Sequence, residues 1–197
     1  MPKRIDSAER DRVIASAAWR VLLRDGLAGF SVRNVADEAR LATASLRRRF
    51  PTQNALRVFC LRLVADRVQQ RLDRVDPSRA DEPVVYAAAC LEQLLPLDED
   101  RRAEMEVFLM LASMASTDEA IRAAYDDAHA AVALACRSLL APVVGSPDED
   151  AVVNGARRIH ALLDGLSVHL LRQADDADGE WALEILRDEI RREARGS

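Results

Sequence analysis

Lysine is almost missing from this chain of 197 residues: Lys3 is the only one, and the rest of its 28 basic residues are arginine. Aromatic side chains make up 4%. Glycine and proline number 7 each beside 49% hydrophobic residues, which excludes a collagen-like or disordered chain. The length suits one or two small domains with a real core. Cys60, Cys90 and Cys136 are odd in number, far apart and set in apolar stretches. With no CxxC and no His/Cys cluster, a disulfide framework or a zinc site is not expected, and the thiols read as buried and free. The opening MPKRIDSAERDR lacks the apolar stretch of a signal peptide. No uncharged apolar run approaches the length of about 18 residues that a bilayer demands. The expectation is a soluble, cytoplasmic protein.

What is there is a charge asymmetry. Residues 1–57 hold 12 Lys/Arg against 6 Asp/Glu, a balance of +6, whereas the other 140 hold 16 against 27, a balance of -11. A basic first quarter on an acidic body points to a polyanionic partner for that quarter alone. Its densest point is SLRRRF, Ser45 to Phe50. Three arginines in a row are either a solvated face or a set aimed at something anionic.

Between the prolines the pattern is helical, and no stretch alternates as a half-buried strand does. Asp6 and Glu9 resemble a capping box opening a first helix whose apolar face is Val13, Ile14, Ala17, Val21 and Leu22, with Gly26 as its stop. Ser31 caps a short second helix, with Val32, Val35, Ala36 and Ala39 apolar. A third runs from about Thr43 to Arg49, with Thr43 as its cap, and Pro51-Thr52 opens a long fourth. Five more follow: about 82 to 95, about 99 to 115, one through Ile121 to Leu139, one through Val152 to Leu170, and about 180 to 194. Pro142 is expected to break helical periodicity, and the sixth helix, apolar from Val107 to Ala112, is expected to be buried on most sides. The fold class is all-α, about nine helices, divided into residues 1–51 and 52–197.

Two short helices joined by a tight turn, the second one basic, form a helix-turn-helix arrangement, whose second helix lies in the DNA major groove. Leu46 and Phe50, four apart, anchor that helix, while Thr43, Ala44, Arg47 and Arg48 point elsewhere. Successive residues turn by about 100°, so Arg47, Arg48 and Arg49 cannot all face base edges. The last lies more naturally along the backbone.

The stretch Arg12 to Leu56 resembles the DNA-binding domain of the TetR (tetracycline repressor) family of transcriptional regulators, through Ala17-Ala18, Gly26, Ser31, Val35-Ala36, Leu46 and Phe50. HALLDGLSVHLL, His160 to Leu171, is similar to the dimerisation helix of many members. The resemblance implies a three-helix DNA-binding domain and a helical effector-binding and dimerisation domain. It also implies DNA contacts from Arg33, from Thr43, Ala44, Ser45, Arg47, Arg48 and Arg49, and from Thr52 and Gln53. Arg33 and then Arg48 are the candidates for guanine, Ala44 for a thymine methyl, and Thr52 with its helix N-terminus for a phosphate. Lys3 and Arg4 form either a loose arm on the DNA or a free tail. The chain departs from the family at Arg40, where a glycine turns the chain, at Ala42 for a serine cap, at Arg47 for a tyrosine, and at Gln53 for a lysine. A left-handed arginine at position 40 would cost roughly 1 kcal/mol.

The resemblance further implies partners: a double-stranded operator, a second copy of the chain, and a small effector. The effector lining expected is Tyr86, Met105, Phe108 and Leu109 with Met114, Tyr125 and His129, adaptable side chains that suit an apolar ligand. The same residues can equally be plain core. For the dimer, Val152, Ile159, Leu163, Leu166 and Leu170 of the eighth helix with Leu183 and Leu186 of the ninth are the expected centre, although such 4-3 stripes are also ordinary core. A second line, Gly155, Leu162 and His169, gives the eighth helix a further face. No membrane partner, cofactor or metal is expected.

An enzyme is the contrasting class. His160 and Asp164 are four apart and Glu104 and Glu106 lie nearby on the sixth helix, but no paired nucleophile, Gly-rich phosphate loop or HExxH accompanies them. His160 and His169 are nine apart, about 180° around a helix. No enzyme is expected. The nearer alternative is a ligand- or partner-binding module of this fold without specific DNA binding, which Arg40 and Ala42 favour.

Overall fold

A computed structural model describes residues 7–145, 149–174 and 178–195, the side chains of residues 7 and 8 excepted. The described residues form nine α-helices and no strand: α1 Ser7–Gly29, α2 Val32–Glu38, α3 Thr43–Arg49, α4 Gln53–Leu72, α5 Pro83–Leu91, α6 Glu99–Ala112, α7 Glu119–Val144, α8 Glu149–Leu171 and α9 Glu180–Arg195. Two 3-10 turns, Pro77–Asp81 and Glu92–Leu94, stand on either side of α5. The second replaces the last turn of the fifth helix expected from the sequence. Asp6, Lys3 and Arg4 lie outside the described residues.

The local signals act mostly where the sequence places them. Gly26 breaks α1 with φ 63°, a conformation that costs glycine little, and a short helical stretch resumes to Gly29. The Ser31 hydroxyl accepts from Asn34 N–H at 3.1 Å and caps α2. The Thr52 hydroxyl accepts from Ala55 N–H at 3.1 Å and caps α4. Three expectations fail. Thr43 is the first helical residue of α3 and Ala42 its cap, so α3 begins with no side-chain cap. Pro142 sits inside α7, near its end, and the helix continues to Val144. In α6 only Val107 and Leu111 of the apolar run are buried, and Leu109 is 38% exposed.

The chain folds as two compact units, one of Met1–Ala65 with Glu106–Asp126, the other of Asp66–Met105 with Asp127–Ser197. The first has a core of Ile14, Ala17, Val21 and Leu22 from α1, Val35 and Ala36 from α2, Leu46 from α3, and Leu56, Cys60 and Leu61 from α4. Val13, on the edge of the expected stripe, is exposed. The second unit packs Ala87, Leu91 and Leu95 with Cys136 and Leu140 of α7 and the apolar stripes of α8 and α9. All three cysteines are buried and free, and burial pushes the Cys60 thiol up to about 12.

That second core already takes up the side chains expected at the dimer centre. Val152, Ile159, Leu163, Leu166 and Leu170 of α8 and Leu186 of α9 are buried within the chain itself, with Leu183 packed partly beside them. A seam between two copies centred on them would need side chains that the chain's own core already uses. The second line divides as well. Gly155 lies against α9, where an added Cβ would stand 2.6 Å from a Glu193 carboxylate oxygen, Leu162 is half-buried and His169 exposed. The Glu193 carboxylate is held there by the Arg158 guanidinium at 2.7 Å. The outward surface of α8 instead carries Ala161, Gly165 and Val168.

Among the described residues one helix, α7, is long and apolar enough by composition to cross a bilayer, with a mean hydropathy of 1.3 in its best window. Much of that apolarity is alanine, and the stripe Cys136, Leu140 and Val143 packs into the second core.

The turn between α2 and α3 has a Schellman geometry. Leu41 N–H donates to Ala36 C=O at 2.9 Å and Arg40 N–H to Asp37 C=O at 3.1 Å, with Arg40 at φ 55° in the position that favours glycine. Arg40→Gly should therefore raise stability by up to about 1 kcal/mol, the left-handed penalty less the entropy of a freer unfolded chain. Arg40→Val, β-branched at φ > 0, should lower it. Denaturant midpoints of the two variants check both signs.

Candidate nucleic-acid interface

α3 has seven residues, too few to hold a helix by themselves. Leu46, fully buried, and Phe50, 5% exposed, set it against the first core, and the Phe50 ring meets Phe59 with centroids 5.0 Å apart. A helix pinned along one side turns its other residues outward. Ala44, Arg47 and Arg48 are exposed, and Thr43 and Ser45 are half-exposed.

The arginines of the run then part company. The Arg49 guanidinium grips Asp11 of α1 with two contacts, 2.6 and 3.2 Å, and lies 5.6 Å from the Phe50 ring. Expected among the DNA contacts, it is a tie between α1 and α3. Arg47 and Arg48 form no ion pair among the described residues. Arg33, on α2, has its guanidinium 4.0 Å from Asp37 on the next turn and is 77% exposed, so that pairing holds it weakly. Thr52 is exposed at the start of α4, with its hydroxyl occupied as a cap. Gln53 turns back into the fold, its side-chain amide donating to Phe30 C=O.

Two features escaped the sequence. Arg10 of α1 donates to the Ser45 hydroxyl, so the α3 residue expected to face DNA is also braced from behind. Glu38 of α2 receives Arg20 at 2.7 Å and Arg24 at 2.9 Å, both from α1. Charges 14 to 38 positions apart carry no periodic signal, and only the tertiary packing pairs them.

The residues expected around an effector fall in both units. In the first, Phe108 stacks on Tyr125 with centroids 5.4 Å apart and planes at 24°, and Phe108 and Met114 pack against the core. Tyr86, Met105 and His129 belong to the second. There the His129 ring lies 5.2 Å from that of His160. Two open clefts, one formed by His169, Arg172, Gln173 and Trp181, the other by α8 with Glu189, Arg192 and Glu193, are lined by none of the seven. Glu104, considered for acid–base work, is buried and paired with Arg71 at 2.7 Å.

A buried-anchor helix behind a tight left-handed turn, with arginines on its outer side, has the form of the second helix of a helix-turn-helix. Similarity to known proteins gives the family. Residues 86–195 match the family described as BetI-type transcriptional repressor, C-terminal. The HTH-type transcriptional regulator PksA of Bacillus subtilis (strain 168) is 33% identical over 177 residues, covering 87% of this chain and 83% of PksA. A transcriptional regulator from Rhodococcus sp. Rha1 superposes with a TM-score of 0.81 at 26% identity, covering 94% of this chain and 96% of that one. The multidrug binding protein EbrR, complexed with ethidium, superposes at 0.66 with 28% identity, covering 92% and 98%. The chain belongs to the TetR family of transcriptional regulators, with a C-terminal part of BetI type.

The α1–α2 tie has a pH signature. Hydrogen bonds from Arg20 and then Arg24 hold the Glu38 carboxyl below its ordinary 4.5, and Arg24 does the same for Asp25. A carboxyl depressed on folding contributes stability that is fully present above its unfolded pKa and is lost as pH falls through the folded one. Melting temperatures of Glu38→Gln and the parent should therefore differ above pH 4.5 and converge in more acid solution.

Proposed function

We propose that the chain is a repressor that binds a pseudo-palindromic operator as a homodimer and is released by a small, mostly apolar effector. Residues 1–51 read DNA in this proposal, and residues 52–197 take the effector and the second copy. The observation that carries the reading is the division of arginines around α3: Arg10 and Arg49 brace the helix, leaving Arg47 and Arg48 outward, with Arg33 exposed on α2. Arg33 and Arg48 read guanine edges, Arg47 meets phosphate, Ala44 a thymine methyl, and the N-terminus of α4 at Thr52 a further phosphate. Thr43 and Ser45 supplement these with hydroxyls. Arg49 and Gln53 support from behind. The intact hydrogen bonds of the Arg40 turn favour this over a module that has lost DNA binding.

The dimer face consists of the outward residues Ala161, Gly165 and Val168 of α8 with Ile185 of α9. An added Cβ at Gly165 meets nothing, and Val168 and Ile185 are 43% and 44% exposed, which leaves room for a neighbouring helix. The Phe108–Tyr125 stack, with Met114, is the part of the expected effector lining that one unit holds together, and a flat apolar ligand suits it. EbrR, a relative complexed with ethidium, holds a ligand that is flat and aromatic, though cationic. Such a ligand releases DNA only by binding the DNA-incompetent state more tightly.

Gel shifts and footprints on DNA flanking the gene test the reading. Affinity should fall steeply between about 50 and 200 mM salt as phosphate contacts release counterions. Arg33→Ala and Arg48→Ala should each cost roughly 1–3 kcal/mol and relax base preference, and Arg47→Ala should weaken all sequences alike. Salt-indifferent binding would make the arginine run a solvated face.

The dimer proposal separates two neighbouring substitutions. Gly165→Glu should yield folded monomers by light scattering, whereas Leu163→Glu buries a carboxylate in the chain's own core and should unfold it. A folded dimer from Gly165→Glu would place the interface elsewhere.

A further inference from the structure

The second unit brings together three side chains, of which only His129 stood in the expected effector lining. His160 and Asp164 stand one turn apart on α8, and His129 reaches them from α7. Their ligand atoms, one from each residue, all lie within 4.8 Å of one another. His160 is mostly buried, with 18% of its side chain exposed, whereas Asp164 is 60% exposed at the mouth. The sequence could not pair His129 with His160, because 31 residues and a helix connection separate them; it paired only histidines on α8.

An orphaned atom marks the centre of this cluster. The Nε2 atom of His160 is buried and has no hydrogen-bond partner. The Asp164 carboxylate oxygen stands 4.0 Å from it, too far for a hydrogen bond. A buried imidazole nitrogen without a partner is unfavourable unless something else occupies that position. A proton donor would satisfy one nitrogen. A metal ion would occupy that position and draw His129 and Asp164 to the same centre.

We propose that His129, His160 and Asp164 form a binding site for a borderline divalent transition ion of the zinc class. Two imidazoles and a carboxylate are the donor set such ions take, and a histidine with a second ligand four residues on places both on one helix face. Tetrahedral ligands at about 2.1 Å from zinc stand about 3.4 Å from each other. The His160–Asp164 separation of 4.0 Å needs only a small rotation of the exposed aspartate to reach that geometry. Three protein ligands leave a fourth position for water, and Asp164 is on the open side where water enters. The ion would fasten α7 to α8. Cys136, a soft donor on the same helix as His129, is buried and lies outside the cluster.

The test uses the full chain, freed of metal, and zinc alone against a chromogenic chelator, with no DNA present, so its outcome is independent of the DNA-reading proposal. One zinc per chain should bind. Asp164→Asn and His129→Gln should each weaken binding at least about tenfold, the loss typical of even the supporting groups around a metal. His169→Gln, on an exposed histidine of α8 outside the cluster, should leave it unchanged. Circular dichroism confirms that each variant folds; Asp164 is exposed, so its variant carries the test if His129→Gln does not fold. Cobalt bound in place of zinc should show visible d–d bands without a thiolate charge-transfer band. No zinc uptake, uptake indifferent to Asp164→Asn, or a thiolate band would each overturn the site.

Discussion

Everything that α3 can do depends on two apolar side chains. A helix of seven residues has no independent stability, and this one lacks even a side-chain cap. Burial of Leu46 and Phe50 fixes both its existence and its rotation. The rotation matters more for function, because it decides which of three consecutive arginines faces outward. The Schellman turn at Arg40 sets where the helix begins relative to α2, at the cost of a left-handed arginine. A family position that glycine usually fills is thus held by an arginine without loss of the turn's hydrogen bonds.

Arginine serves two physical purposes in the first unit. Arg20 and Arg24 on Glu38 and Arg49 on Asp11 are multi-contact pairs that tie α1 to α2 and α3. Each exposed pair is worth little alone, but together they restrict how the short helices can shift. Arg33, Arg47 and Arg48 are not engaged in this way. The basic excess of the first 57 residues is therefore part scaffold and part presented charge, and only the presented part bears on a polyanion.

In the second unit α8 works on several sides at once. One side is core, one lies against α9 through Gly155 and the Arg158–Glu193 pair, and one meets α7 through His160. Ala161, Gly165 and Val168 remain on the outside. Small residues there leave the backbone approachable, whereas the larger aliphatic residues of the same helix are taken by the chain's own core.

The all-α class, the limits of α3, the stop at Gly26, the caps at Ser31 and Thr52, and the anchors Leu46 and Phe50 were legible in the sequence. Each rests on interactions within a few residues, which periodicity and capping chemistry report directly. Tertiary structure decided the rest. A 4-3 stripe on α8 states that a face is apolar but not whether its partner is another helix of the chain or another chain, and here the chain's own core takes it. The apolar run of α6 could not reveal that only one of its faces has a neighbour. The Asp11–Arg49, Arg10–Ser45 and Glu38 ties, and the approach of His129 to His160 and Asp164, join residues far apart in sequence. Such pairings exist only once the helices have packed, since nothing local in the chain constrains the distance between them.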